Sequence, residues 1–439
     1  MQSNLFSLFQ SKRIDEIARL TGFLKRKSKF TPQAFIDLMF FAVSSNNPSL
    51  QQIVKEAPAE HSITLSKQGL DSRFSPQSVA FSKSLLEEAI AKQVLDTPVF
   101  NSINKFNRIQ IKDSTKFNIS ELFKEDFPGS GGSGSTAGVS IQFEYDLKSG
   151  KIADIDLQAA NKSDSKDALK KKDQIQASDL IIRDLGYYSD KVINTICDND
   201  AYFISRLCYS SNVYETQKAI DQIDFGLLYR QMQNAGIEYK ELKVFVGEKR
   251  IPLRLVIALL PEAVREKRIR IRNKVNKKRK QNTTDKFRAR AHFNLFICNI
   301  SPEDLTKEEV CNLYHVRWQI ELIFKTWKSL MKINQLQKMK LERFVTTIYM
   351  NLLWIVVFWN IIYPYNIYQS IKEKRLISFF KCMNTLVDST RDIRQLLRKS
   401  QCQMRKKLRK IYDIFSTGHW LEKRKDGNSY ENIFSLLFW

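Results

Sequence analysis

Tyr314–Leu330 reads YHVRWQIELIFKTWKSL. It contains neither Gly nor Pro and is rich in helix formers, so its pattern predicts one helix over the whole stretch. Counted from Tyr314 at 100° per residue, Arg317, Glu321 and Lys328 fall at about 300°, 340° and 320°. Val316, Ile320, Ile323, Trp327 and Leu330 share the neighbouring sector and form the packed side. Ordinary i,i+4 ion pairing of Arg317 with Glu321 would account for the charges. A carboxylate between two cations at the edge of a buried face also suits a metal ligand flanked by phosphate-binding groups.

The spacing Tyr-x2-Arg-x3-Glu-x6-Lys, carried by Tyr314, Arg317, Glu321 and Lys328, resembles the signature of DDE transposases of insertion-sequence family four. That resemblance implies a ribonuclease-H-like core and two further catalytic aspartates on strands. Two segments answer to this. Asn107–Lys112 alternates apolar and polar residues and predicts a strand ending at Asp113. Leu180–Arg183 (LIIR) predicts a short buried strand followed by Asp184-Leu185-Gly186-Tyr187, similar to the family's Asp-x-Gly-[Tyr/Phe] context. An Asp after a strand is otherwise a common cap or turn residue.

Between them, Phe127–Gly138 (FPGSGGSGSTAG) lacks the Gly-Lys-[Ser/Thr] of a nucleotide-binding loop and reads as a flexible connection. Val139–Tyr145 and Ile152–Leu157 predict a β-hairpin. GGSGSTAGVSIQFEYDLKSG resembles the matching stretch of the same family. Asn161–Ala177 and Asp190–Cys197 read as helices, and Tyr202–Leu207, Lys243–Val246, Leu253–Leu259 and Phe293–Ile300 as strands.

Glu321 lies 137 positions after Asp184 (321 − 184). The interval predicts an inserted β-rich domain, which the resemblance also implies. It ends in Arg265–Arg290, with thirteen Lys/Arg against Glu266 and Asp285. Arg270, Arg272, Lys277, Lys278 and Arg279 are its candidate DNA contacts, and binding through them would be strongly salt-dependent. The family's insertion often carries a Trp that stacks on a flipped base. This chain has no Trp between Asp184 and Trp318, leaving Tyr202, Tyr209, Tyr214, Phe245 and Phe287 as substitutes.

The whole chain agrees with a polyanionic partner. Its 439 residues carry 71 Lys and Arg against 47 Asp and Glu, a net charge of +24. Six scattered cysteines without a CxxC pair argue against a zinc site and for reduced thiols. The N-terminus shows no signal-peptide pattern. Val345–Tyr363 is long enough to cross a bilayer, but its Thr and Asn residues point to a buried core helix, ended by Pro364.

Five regions follow: a helical DNA-binding domain (1–100), the first part of the core (101–207), the inserted basic domain (208–292), the second part with the signature helix (293–365), and a basic helical tail (366–439). In the first, Thr31–Ser44 opens on a Thr-Pro cap. Ser49–Ala57, a break at Pro58 and Leu65–Phe74 suggest a helix-turn-helix, with Val79–Val94 after it; a plain helical bundle explains these lengths equally well.

The fold class is therefore α/β, a ribonuclease-H-like core with a β-rich insertion. The expected activity is Mg2+-dependent cleavage of DNA at element ends and strand transfer through a hairpin. Asp113, Asp184 and Glu321 would hold two Mg2+ ions, with Mn2+ as a substitute, and Tyr314, Arg317 and Lys328 would grip phosphates. The expected partners are double-stranded DNA, as terminal inverted repeats and target, and a second copy of the chain, with no membrane. The expected setting is a bacterial cytoplasm, at the nucleoid. The alternative is a catalytically silent DNA-binding regulator derived from a transposase.

Overall fold

The computed structural model describes residues 4–45, 48–93, 105–131, 135–336, 338–397 and 401–422. It is a mixed α/β protein whose strands, in chain order, are β1 (Arg108–Asn118), β2 (Gly138–Asp146), β3 (Ile152–Ala159), β4 (Asp179–Arg183), β5 (Tyr202–Arg206), β6 (Val213–Tyr214), β7 (Tyr239–Val246), β8 (Ile251–Leu259) and β9 (Phe293–Cys298). They follow the spatial order β3-β2-β1-β4-β5-β9-β8-β7-β6. The chain forms two compact units, and β1 passes from one into the other between Asp113 and Ser114.

One unit holds residues 102–113 and 162–318. Here β1, β4 and β5 are parallel, and β9, β8, β7 and β6 continue the ladder antiparallel. Parallel strands need helical crossovers. Asp164–Lys170 lies on the path from β3 to β4, and Asp190–Asp198 connects β4 to β5. Leu180, Ile182 and Ile204 are inaccessible to solvent, as expected for strands covered on both faces. Within residues 208–292, β6, β7 and β8 extend this ladder, and the basic run forms helices Glu262–Lys278 and Asp285–Arg290.

The other unit holds residues 1–101, 114–161 and 319–439. Its centre is the helix Leu341–Glu373, which among the described residues is the helix long and apolar enough to span a membrane and is wholly buried by protein over its apolar window. Phe143 and Tyr145 of β2 meet the Trp359 ring at 5.6 and 5.3 Å. The β2–β3 turn is fastened to the same helix, since Trp359 Nε1 donates to Gly150 O at 2.7 Å and Tyr363 Oη to Leu147 O at 2.7 Å. Phe40 of the Pro32–Ser44 helix packs on Trp354 with 4.3 Å between centroids.

Several expectations are corrected. The signature stretch is two helices, Lys307–Val316 and Trp318–Ser329, jointed at Arg317. Arg317 N–H closes a tight turn on Tyr314 O at 3.1 Å in place of an i−4 bond. Pro364 does not end its helix and Pro58 does not break Leu50–His61. At Pro364, burial along the helix outweighs the one backbone bond that Pro forfeits. The second short helix is only Lys67–Asp71, with Ser66 as its cap, shorter than Leu65–Phe74. Asp113 does not end its strand, because β1 continues to Asn118. The Asn161–Ala177 helix is confined to Asp164–Lys170 and a single turn, Lys172–Gln174.

Other expectations match. Thr31 caps its helix by accepting from Ala34 N at 3.1 Å. The β2–β3 hairpin, β4, β5, β8 and the Asp190–Asp198 helix lie within a few residues of their expected bounds. In the expected flexible connection, Gly129 N and Gly138 N bond across it to Thr136 O and Phe127 O. Gly132–Gly134, Val94 and the tail beyond Glu422 lie outside the described residues.

Candidate active site

Two aspartates meet because of strand register. β1 and β4 are parallel partners, with Ile111 opposite Ile182 and Lys112 opposite Arg183. Asp113 and Asp184 are the next residue along each. Neighbouring strands lie about 4.8 Å apart, and residues at matching positions in parallel strands point to the same face. The two carboxylates therefore emerge side by side. Asp184 keeps an extended backbone (φ −73°, ψ 164°) and leads into the Leu185–Tyr187 turn.

Arg317 spans the pair. Its Nη1 donates to Asp113 Oδ2 at 2.6 Å, and its Nε stands 3.9 Å from Asp184 Oδ1. Asp113 and Arg317 side chains are largely buried, while Asp184 is 45% exposed. Tyr314 Oη donates to Asp184 Oδ1 at 3.4 Å. Burial pushes the Tyr314 phenol up to about 12, partly opposed by the Arg317 charge, so it remains a donor at neutral pH. Arg206, which the sequence pattern did not single out, stands over the Tyr314 ring at 5.7 Å. Nothing in its spacing marks it, because it belongs to a different strand.

Glu321 and Lys328 sit on the Trp318–Ser329 helix, both partly buried, with Phe324 and Trp327 on its buried side. Lys328 Nζ donates to Lys116 O at 3.3 Å, and burial lowers its pKa. Residues 321 and 328 belong to one unit, Asp113, Asp184, Tyr314 and Arg317 to the other.

Beside Asp184, Leu185 opens a cavity of about 210 Å³ whose lining includes Arg206, Tyr209, Arg268, Phe287 and Arg290. Tyr209 and Phe287 are edge to face at 5.7 Å. The Arg272 guanidinium lies over both rings, at 4.8 and 5.2 Å, and donates to Tyr209 Oη at 2.9 Å. The turn presenting Tyr209 is pinned from below. Arg290 donates to the carbonyls of Cys208, Tyr209 and Ser211, and burial lowers its pKa to about 10. Of the other aromatic candidates, Tyr202 packs on Phe106 and Tyr214 lies 3.1 Å under Arg250. Arg270, Lys277, Lys278 and Arg279 are exposed on or beside the Glu262–Lys278 helix, and Arg272 is half-buried.

Residues 104–357 match the family described as Transposase DDE domain. The chain belongs to the DDE transposases. Curated relatives match over nearly its full length. The transposase for insertion sequence element IS231B of Bacillus thuringiensis subsp. berliner is 26% identical, with 97% of this chain and 92% of that one covered. That for IS231E of B. thuringiensis subsp. finitimus is 28% identical with the same coverage. That for IS1151 of Clostridium perfringens is 29% identical, covering 86% of this chain and 84% of that one. This DDE transposase is of the insertion-sequence family four kind, a nucleic-acid-cleaving enzyme whose partner is DNA.

DDE transposases generally use divalent metal ions. Two carboxylates converging on one cation offer the hard oxygen donors that such an ion needs, so Asp113 and Asp184 fit it chemically. Among the described residues, no group of three or more His, Cys, Asp or Glu side chains is gathered closely enough to hold a metal ion.

Proposed function

We propose that this transposase cuts DNA at the ends of its element in a Mg2+-dependent reaction, Mn2+ substituting, and transfers the exposed 3′ ends to target DNA through a hairpin intermediate. The reading is carried by one observation: Asp113 and Asp184 each directly follow the register pair Lys112–Arg183 of neighbouring parallel strands and are bridged by Arg317. Support for a ribonuclease-H-like core comes from the order β3-β2-β1-β4-β5, with an antiparallel β2–β3 hairpin beside parallel β1, β4 and β5.

Asp113, Asp184 and Glu321 are the proposed metal ligands, Glu321 following Arg317 by four residues (321 − 317). When bound, divalent ions supply Lewis-acid stabilisation of the entering and leaving oxygens. Arg317 holds the two aspartates until DNA arrives, then offers its planar donors to a phosphate beside the scissile bond. Tyr314 orients Asp184 through its hydroxyl, a role beyond the phosphate contact expected from sequence. Lys328 adds a second cation toward the backbone. Tyr209 and Phe287, under Arg272, take the stacking role of the missing Trp, and Arg206 and Arg268 line the entry with positive charge. Arg270, Lys277, Lys278 and Arg279 contact flanking phosphates. Two ends must be cut together, so the working form is a homodimer in a synaptic complex on bacterial nucleoid DNA.

The test is cleavage of a duplex carrying the element's own terminal repeat, with and without Mg2+. Wild type should nick and then join, while Asp113→Asn, Asp184→Asn and Glu321→Gln should bind the duplex but not cut it. A variant that cuts at the wild-type rate removes its residue from the site.

A further inference from the structure

Each proposed catalytic aspartate is preceded by a cation, giving Lys112-Asp113 on β1 and Arg183-Asp184 at β4, and the two cations are register partners. Successive residues of a strand point to opposite faces. Lys112 and Arg183 therefore share the face away from Asp113 and Asp184. Lys112 is wholly buried, which is rare for a lysine without a buried acid. Its Nζ lies 2.7 Å from Asp167 Oδ2, whose side chain is 1% exposed. Arg183 is also buried, its guanidinium 5.9 Å from the centre of the Tyr187 ring.

Asp167 belongs to the short Asp164–Lys170 helix, and that helix reaches both acid-bearing segments. At one point Asp167 holds Lys112, the residue before Asp113. At another, Asp164 lies so close to Gly186 that a Cβ there would stand 3.3 Å from Asp164 Oδ2, and Gly186 is two residues past Asp184. One helix thus braces the strand under Asp113 and the turn after Asp184.

We propose that Lys112 is a positioning residue: through its ion pair with Asp167 it fixes the spacing of Asp113 and Asp184 and so sets their affinity for a divalent ion. This rests on the reading of Asp113 and Asp184 as metal ligands. Groups that orient metal ligands from behind typically change affinity about 10–100-fold when removed. A buried pair has an alternative purpose, holding the fold alone, and the two are separable because apolar residues of similar volume often replace such a pair without loss of stability.

The experiment is Mn2+ binding to the full chain without DNA, read from the loss of the aqueous Mn2+ paramagnetic resonance signal, beside metal-free thermal melting. Lys112→Met and Asp167→Asn should each weaken Mn2+ binding about tenfold or more. The double variant Lys112→Met/Asp167→Leu should melt close to wild type yet bind Mn2+ as weakly as the single variants. Wild-type Mn2+ affinity in a folded Lys112→Met or double variant would overturn the proposal. Loss of folding in both would overturn it as well, since the pair would then serve the sheet alone. Asp113→Asn separates the two readings: if it keeps wild-type Mn2+ affinity, the ligand assignment fails. If it loses Mn2+ while Lys112→Met does not, only the role of Lys112 fails.

Discussion

Arg317 Nη1 and Asp113 Oδ2 are 2.6 Å apart, although 204 residues separate them in the chain. The same guanidinium faces Asp184, so a single cation reaches both acids where their strands bring like charges together. That arrangement makes the metal-free site depend on Arg317.

Replacing Arg317 with Ala should therefore destabilise the metal-free protein by about 2 kcal/mol, the usual worth of a hydrogen bond between charged groups. Saturating Mn2+ should restore most of the loss by taking over the charge balance. Urea unfolding with and without Mn2+ checks this, and an Arg317→Ala protein equally unstable in both conditions would contradict it. Arg317→Lys should recover little, because a point-like ammonium cannot span both carboxylates.

Lys277 and Lys278 should contribute to DNA affinity through phosphates alone. Changing both to Ala should flatten the dependence of log K on log salt by about 0.9 per lost contact, for specific and random duplexes alike. Arg272→Ala should behave differently, since this residue also covers Tyr209 and Phe287. Its loss should impair cutting beyond the change in slope. Fluorescence-anisotropy titrations across a salt series, paired with cleavage rates, distinguish the two behaviours.

Alkaline pH should unfold this protein steeply. Burial pushes the phenols of Tyr188, Tyr314, Tyr349 and Tyr412 up to about 12. In the unfolded chain they ionise near 10, releasing protons that the folded chain retains. Their contribution is fully present below pH 10 and is lost as the pH rises toward 12, by up to about 2.5 kcal/mol each. Urea midpoints should be level from pH 8 to about 9.5 and then fall, and Tyr314→Phe should lessen the fall. A midpoint unchanged at pH 11.5 would refute this account.

Gly150→Ala should be among the most damaging single-methyl changes. Gly150 has φ +70°, and a Cβ would lie 1.9 Å from the Tyr363 ring. Left-handed strain and overpacking together predict a loss of about 3 kcal/mol or more, visible as a lower melting temperature. A Tyr363→Ala background should recover only the steric part.

The candidate site residues are legible as patterns along the chain. The four-residue spacing from Tyr314 to Lys328 is a local pattern, although a joint at Arg317 divides it between two helices, and alternation marks the strands leading to Asp113 and Asp184, although the first runs on to Asn118. Helix ends were read less well. Pro58 and Pro364 are strong local breakers, yet both helices run through them; at Pro364 packing along a buried helix exceeds the cost of one missing donor, whereas Pro58 is exposed and burial does not account for it.

Sequence alone determined which residues are chemically able to bind metal and phosphate, since charge, hydrogen-bonding capacity and helical spacing are properties of neighbouring residues. Tertiary structure alone decided that Lys112 lies opposite Arg183, that Asp113 and Asp184 consequently share one guanidinium, and that Tyr209 and Phe287 form the aromatic pair. The β1–β4 register joins segments about seventy residues apart. Such pairing is fixed by hydrogen bonds and burial between distant strands, which no local pattern encodes.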